Sequence, residues 1–323
     1  MNNVIDTPDP EFEQQCRTVV DQWRSGSNSF RLAVAELDRL LQTSIAARHR
    51  RNQAMAEGML GYMQGYRGNL NAAIQHFQRA RSIYEQIGDL LRVMIIDLNT
   101  GISYRQRGDF YRALTLYRAV ARQSEALENV GAHAKALSNE ALVLVTLKRY
   151  RQAVQTLARL KQLADAYYTP QDTNWPTIKC EMFYAQAMID IAQGQPQAAW
   201  DAAVEGMEIA SETRQAIHTG YANRTMALVV DALGHLPESN ITEAYTADPD
   251  VYFSAAIRVF RDVRAQAELA QTVYMHGLSL GRRGQRVNAG RKLQQALVVF
   301  TRLGMVHDAA EAAQAQLTIT GQP

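Results

Sequence analysis

Residues 60–80 read LGYMQGYRGNLNAAIQHFQRA, residues 100–120 read TGISYRQRGDFYRALTLYRAV, and residues 140–160 read EALVLVTLKRYRQAVQTLARL. The three align without a gap, so the chain repeats itself at a period of 40 residues. A small residue (Gly61, Gly101, Ala141) stands seven positions before a turn pair (Gly68-Asn69, Gly108-Asp109, Lys148-Arg149). A large apolar residue follows (Leu70, Phe110, Tyr150), then an alanine (Ala73, Ala113, Ala153), then another large apolar residue (Phe77, Tyr117, Leu157). The same alanine recurs at Ala33, Ala199, Ala256 and Ala289, so successive spacings are 40, 40, 40, 46, 57 and 33.

Within each half of the unit, apolar residues return every three or four positions, as in Ile74, Phe77, Ile83 and Ile87, the stripe of an amphipathic helix. Glycine with Asn or Asp breaks the unit in the middle, because these residues accept turn geometry that a helix interior penalises. The small residues let two helix axes approach to about 8–10 Å. The unit is therefore helix, tight turn, helix, and no period-two pattern competes with it.

This arrangement resembles the tetratricopeptide repeat (TPR) family, most closely in Gly101, Tyr104, Gly108-Asp109-Phe110, Ala113 and Tyr117. The long period is similar to the variant in kinesin light chains, bacterial Rap-type regulators and maltose-activator-type regulators. The resemblance implies an all-α, right-handed superhelical solenoid of antiparallel helix pairs, about 14 helices in all. The expected organisation is a flexible tail over 1–10 and one solenoid over 11–318. Within it, 11–53 is a degenerate capping repeat with Asp21 in the small position, and 54–166 holds three regular repeats. Three divergent repeats occupy 178–305, after a segment carrying Pro170 and Pro176, with an insert near 235–250. A last helix over 306–318 closes the stack.

Hydrophobic residues make up 47% and charged residues 20% of the 323, which are globular values without a disordered bias. A net charge of +2 argues against nucleic acid or an anionic membrane as the main partner. The polar start MNNVIDTPDP is not a secretory signal, and no stretch reaches the roughly 18–20 apolar residues of a membrane span, so a cytoplasmic setting is expected. Cys16 and Cys180 supply neither a disulfide framework nor a thiolate metal site. None of the seven histidines lies three to five residues from another, which excludes a zinc-hydrolase helix. No phosphate loop, dinucleotide fingerprint or nucleophile elbow is present, so the chain is expected to be no enzyme and to carry no metal or cofactor.

Asp248 and Asp250 flank Pro249 and read as a helix cap rather than a weak cation site. The run Arg48-His49-Arg50-Arg51 reads as a solvated junction rather than a phosphate contact. Met55, Met59 and Met63 share a helix face that suits either core or an adaptable binding surface.

By the resemblance, the first helix of each pair lines the concave side. Counting from the small residue as position eight, the groove positions hold Met55 and Tyr62, Asn99 and Arg105, and Lys135, Ser138 and Asn139. The later pairs add Tyr184, Tyr221 with Arg224, and Gln271 with Tyr274. Asn99 and Asn139 occupy position six, where related long-repeat proteins use asparagine on the main chain of an extended peptide, and an amide both donates to and accepts from a peptide unit. The five positions of the chaperone-tail carboxylate clamp hold Gly58, Tyr62, Asn99, Lys135 and Asn139, and only two of them match, which argues against a cochaperone. The expected function is a protein-binding adaptor or regulatory scaffold with a peptide or protein partner. The alternative is a ligand- or peptide-sensing module acting on a separate output protein. Homo-oligomerisation stays open.

Overall fold

The computed structural model describes residues 7–25, 27–168, 175–213, 215–237 and 245–321, and these form fifteen α-helices and no strand. In chain order they are α1 (Pro10–Ser25), α2 (Phe30–Ala46), α3 (Arg50–Tyr66), α4 (Leu70–Gln86) and α5 (Leu90–Arg107). There follow α6 (Phe110–Ala126), α7 (Val130–Thr146), α8 (Tyr150–Tyr167), α9 (Trp175–Ala192) and α10 (Pro196–Thr213). The last five are α11 (Ala216–Leu233), α12 (Pro249–Asp262), α13 (Gln266–Arg282), α14 (Arg286–Arg302) and α15 (Val306–Thr320). The odd-numbered helices up to α13 are the first members of seven pairs. α3 already opens at Arg50 and α9 at Trp175, four and three residues before the starts expected from the repeat register. The residues of the expected tail up to Asp6, Pro170 and the middle of the insert (238–244) lie outside the described residues. Two compact units divide the chain, residues 1–123 and 124–323.

Short turns join the helices because the chain reverses through one left-handed residue. Gly108 takes φ 94° after α5, and the Asp109 amide donates to the Tyr104 carbonyl at 2.8 Å, closing the orphan carbonyls of the helix end. Where the repeat lacks glycine the same geometry is imposed on Lys148 (φ 56°), Arg48, Glu128 and Arg264. Side chains then cap the next helix: Asp89 accepts from the Arg92 amide, Asn129 from Ala132, and Asp248 from Asp250, with Pro249 opening α12.

The repeating small residue admits an aromatic ring. A Cβ on Gly61 would lie 2.7 Å from the Phe77 ring, one on Gly101 2.5 Å from Tyr117, and one on Gly220 2.6 Å from Phe260. Phe77, Tyr117 and Phe260 are all buried. The third case pairs α11 with α12 across the insert, so the insertion leaves the packing rule intact. Its C-terminal part is tied down: the Tyr245 ring meets Trp200 edge-on at 5.2 Å, and the Thr246 amide donates to the Tyr252 hydroxyl at 2.9 Å.

In the first unit, α1 and α2 are packed members of the core, where Phe12, Cys16, Val19, Leu37 and Leu40 cluster with Met55, Leu60 and Met63. In the second, α15 covers the last pair through Ala312, which joins Phe300 and Leu303. Both cysteines are free and buried, and burial pushes each thiol up to about 12.

Candidate binding surface on the first helices

The residues of the expected groove fall into two chemically different surfaces, one on each unit. In the first unit a cleft of about 430 Å³ runs between α1, α3 and α5. Each helix contributes positions i, i+3, i+4 and i+7: Arg17, Val20, Asp21 and Arg24 from α1, Met55, Gly58, Met59 and Tyr62 from α3, and Arg92, Ile95, Ile96 and Asn99 from α5. Tyr84 of α4 adds part of the floor, and its buried hydroxyl lies 3.9 Å from the Met55 sulfur. Tyr62, Asn99 and Met59 are half-buried at the wall, whereas Ile95 is 45% exposed. The methionine stripe divides between roles, with Met55 and Met63 in the core and Met55 and Met59 facing the cleft. Arg105, also on α5, is half-buried and outside the cleft lining.

The cleft is electropositive at its α1 edge. Arg17 and Arg92 share the Glu13 carboxylate, at 2.5 and 2.7 Å, and the Arg92 hydrogen bond is the main influence holding Glu13 below the usual carboxylate range. Arg24 makes no ion pair among the described residues.

In the second unit the expected residues are engaged with one another. Lys135 donates to both carboxylate oxygens of Glu181 at 2.9 Å, and the Ser138 hydroxyl donates to the same group at 2.6 Å. Asn139 is buried, and its Nδ2 donates to the Lys135 carbonyl of its own helix at 2.9 Å. Arg224 is buried with Nη1 2.5 Å from Glu268, and its guanidinium carbon lies 5.3–5.5 Å from the ring centres of Tyr184, Tyr221 and Phe260. Burial works against this charge, but Glu268 and the two tyrosines outweigh it and raise Arg224 above its ordinary value. Tyr274 packs edge-on against Phe300 at 6.0 Å, and burial pushes its phenol up to about 12. Gln271 reaches Asp308 at 3.5 Å.

Sequence reading missed Glu181 and Glu268, which neutralise these cations, and Arg17, Arg24 and Arg92 of the first-unit cleft. Glu181 carries a usable signal, since Lys135 and Glu181 both stand six residues before the small residue of their helices, Ala141 and Ala187.

The remaining features single out no other chemistry. His49 caps α3, its Nδ1 accepting from the Asn52 amide, and Arg50 and Arg51 bond Gln86 and Asp89, so the basic run is spent on a helix junction. Asp250 bonds His276 and Arg283. Among the described residues no group of three or more His, Cys, Asp or Glu side chains is placed to hold a metal ion, and no helix is long and apolar enough to cross a membrane.

No protein-family model matches the chain, and no curated protein does. Solved structures do. The apo form of RapI is similar at a TM-score of 0.67 and 11% identity, over 91% of this chain and 98% of RapI. A Rap protein complexed with competence and sporulation factor gives 0.62 and 13%, over 98% of this chain and 76% of that one. A tetratricopeptide repeat protein from Parabacteroides merdae gives 0.54 and 14%, over 97% and 100%. At such identities the likeness speaks to architecture, and together with the packed helix pairs it establishes an all-α, TPR-like solenoid fold.

Proposed function

We propose that the chain is a non-enzymatic regulatory scaffold that holds a peptide or protein segment on the first helices of its pairs, in a cytoplasmic setting and without nucleic acid as a direct ligand. The observation that carries the reading is the cleft of the first unit, where Met59, Tyr62 and Asn99 stand half-buried beside the exposed Ile95. Concave, largely apolar sites with a few polar groups are where proteins take ligands, and tyrosine, methionine and arginine are enriched at binding surfaces. A neighbour of the same fold was solved in complex with competence and sporulation factor, which supports a sensing version of the same reading, in which the bound segment alters the hold on a separate output protein.

The test is affinity capture of the full chain from its native cell with quantitative mass spectrometry. Tyr62→Ala with Asn99→Ala should lose the captured partner at least tenfold, measured where circular dichroism shows the variant fully folded, since Tyr62 also packs against the core of its unit. Arg151→Ala, on the exposed face of the second helix α8, serves as control and should capture normally. Equal capture by the double variant would sink the reading.

A further inference from the structure

Two properties of the first-unit cleft together specify what it takes. Its α3 wall, Met55 to Tyr62, is apolar over two helical turns, since positions i to i+7 span about 10 Å at 1.5 Å per residue, and Ile95 and Ile96 of α5 extend the apolar lining. At about 430 Å³ it has room for one or two large apolar side chains. The apolar wall also continues outside it, because Leu91 stands one turn before Ile95 on α5 and is 51% exposed. An occupant longer than the cleft would find further apolar surface along α5.

The second property is charge. Arg17, Arg24 and Arg92 line the cleft together with Asp21, and Glu13 already holds Arg17 and Arg92 from outside it. Three guanidiniums against two carboxylates leave one positive charge in excess, and Arg24 is the cation without an ion pair among the described residues. A carboxylate beside the apolar group supplies the missing anion, while a cation there adds repulsion. Asn99 can both donate to and accept from a peptide unit lying along the wall.

Resting on the scaffold reading above, we infer that this cleft binds an extended peptide segment in which a bulky apolar side chain stands next to a carboxylate, the side chain entering between Met59 and Ile96 and the carboxylate meeting Arg24. The carboxylate belongs either to an acidic side chain or to a peptide C-terminus.

The experiment measures fluorescence anisotropy of the full chain with labelled pentapeptides of Gly and Ser. Each carries Leu or Phe beside Glu, Gln or Lys, with the C-terminus free or amidated. Peptides pairing Leu or Phe with Glu are expected to bind about tenfold more tightly than those with Lys, and the preference should shrink as salt rises. Loss of binding on amidation of the Gln series alone identifies the terminal carboxylate as a source, and retention in the amidated Glu series identifies the side chain. Arg24→Glu should reverse the preference, and Ile95→Asp should weaken every peptide about tenfold or more. Both residues are exposed, so the variants should melt like the parent.

Binding that ignores the neighbouring charge, with Arg24→Glu silent, would overturn the inference and leave the scaffold reading standing. So would peptide binding insensitive to Ile95→Asp. Absence of peptide binding in a chain that still captures its cellular partner through Tyr62 and Asn99 would also overturn the inference alone. If that capture fails as well, both fall.

Discussion

Glu268→Gln should destabilise the second unit more than Arg224→Met does, although both break the same ion pair. The Arg224 side chain is 9% exposed, enclosed by Tyr184, Tyr221 and Phe260, while Glu268 is 21% exposed. Nε of Arg224 is buried without a hydrogen-bond partner among the described residues, so Glu268 is its chief compensation. Replacing the carboxylate by an amide of the same shape strands a guanidinium that cannot shed its proton. Breaking a buried pair from one side costs about 3–5 kcal/mol, and the ring faces and the water at position 268 bring the expected loss to about 2–3 kcal/mol. Arg224→Met removes the charge and leaves an unbranched chain among the three rings, with Glu268 free to hydrate, for a loss of about 1 kcal/mol or less. The double variant should then resemble Arg224→Met, giving a coupling energy of about 2 kcal/mol. Trp23 is the tryptophan of the first unit and Trp175 and Trp200 those of the second, so urea titrations in a Trp23→Phe background report the second unit by fluorescence. Equal losses, or a larger loss from Arg224→Met, would refute the claim that this charge is desolvated.

Three further outcomes follow from the packing, the turns and the titrating groups. Gly61→Ala should cost about 2 kcal/mol more than Gly58→Ala on the same helix, because the helix-propensity gain cancels while the first new methyl meets the buried Phe77 ring at 2.7 Å and the second only the mobile end of Ile96 at 3.1 Å; urea midpoints by circular dichroism decide it. Lys148→Gly should stabilise by about 0.5 kcal/mol, the left-handed strain of 1–2 kcal/mol being partly offset by glycine's unfolded-state entropy, and unchanged or lower stability would count against strain at that turn. His133, His218 and His276 of the second unit are all held below the usual histidine range, chiefly by burial. Above pH 6.5 both folded and unfolded forms are neutral, and below it the unfolded chain takes up protons first, so tryptophan fluorescence in the Trp23→Phe background should show stability falling from pH 7 to pH 5.

What could be read from sequence is what recurs at equal spacing in consecutive helices. The small residue and its ring, Gly61 with Phe77 and Gly101 with Tyr117, stand sixteen positions apart because two backbones must approach there, and so the pairing shows in a self-alignment. The turns are legible even where glycine is missing, since Lys148 takes the left-handed conformation that its register requires. The cleft is not legible in this way. It combines three non-consecutive helices, and one of them, α1, has Asp21 in place of the small residue that would have set its register. Arg17, Arg24 and Arg92 look like ordinary surface charges until the fold brings them to one rim. Asn99 and Asn139 hold the same repeat position, yet one stands half-buried beside the cleft and the other is buried and spent on its own helix. Repeat position specifies which helix face a side chain occupies, and the neighbouring helix decides whether that face is open.

That difference bears on where a partner gains free energy. On the second unit the two cations of the expected groove, Lys135 and Arg224, already have a carboxylate from the next first helix, Glu181 and Glu268. An acidic ligand there would exchange one ion pair for another and desolvate its own carboxylate, with little net gain. On the first unit a carboxylate meeting Arg24 breaks no existing pair, and an apolar side chain in the cleft covers Ile95 and Met59, which the fold leaves partly in contact with water. Burying such a side chain is worth about 1.5–3 kcal/mol. The paired charges of the second unit thus serve chiefly to hold successive first helices in register, and the unpaired, partly apolar cleft of the first unit is where binding energy remains to be gained.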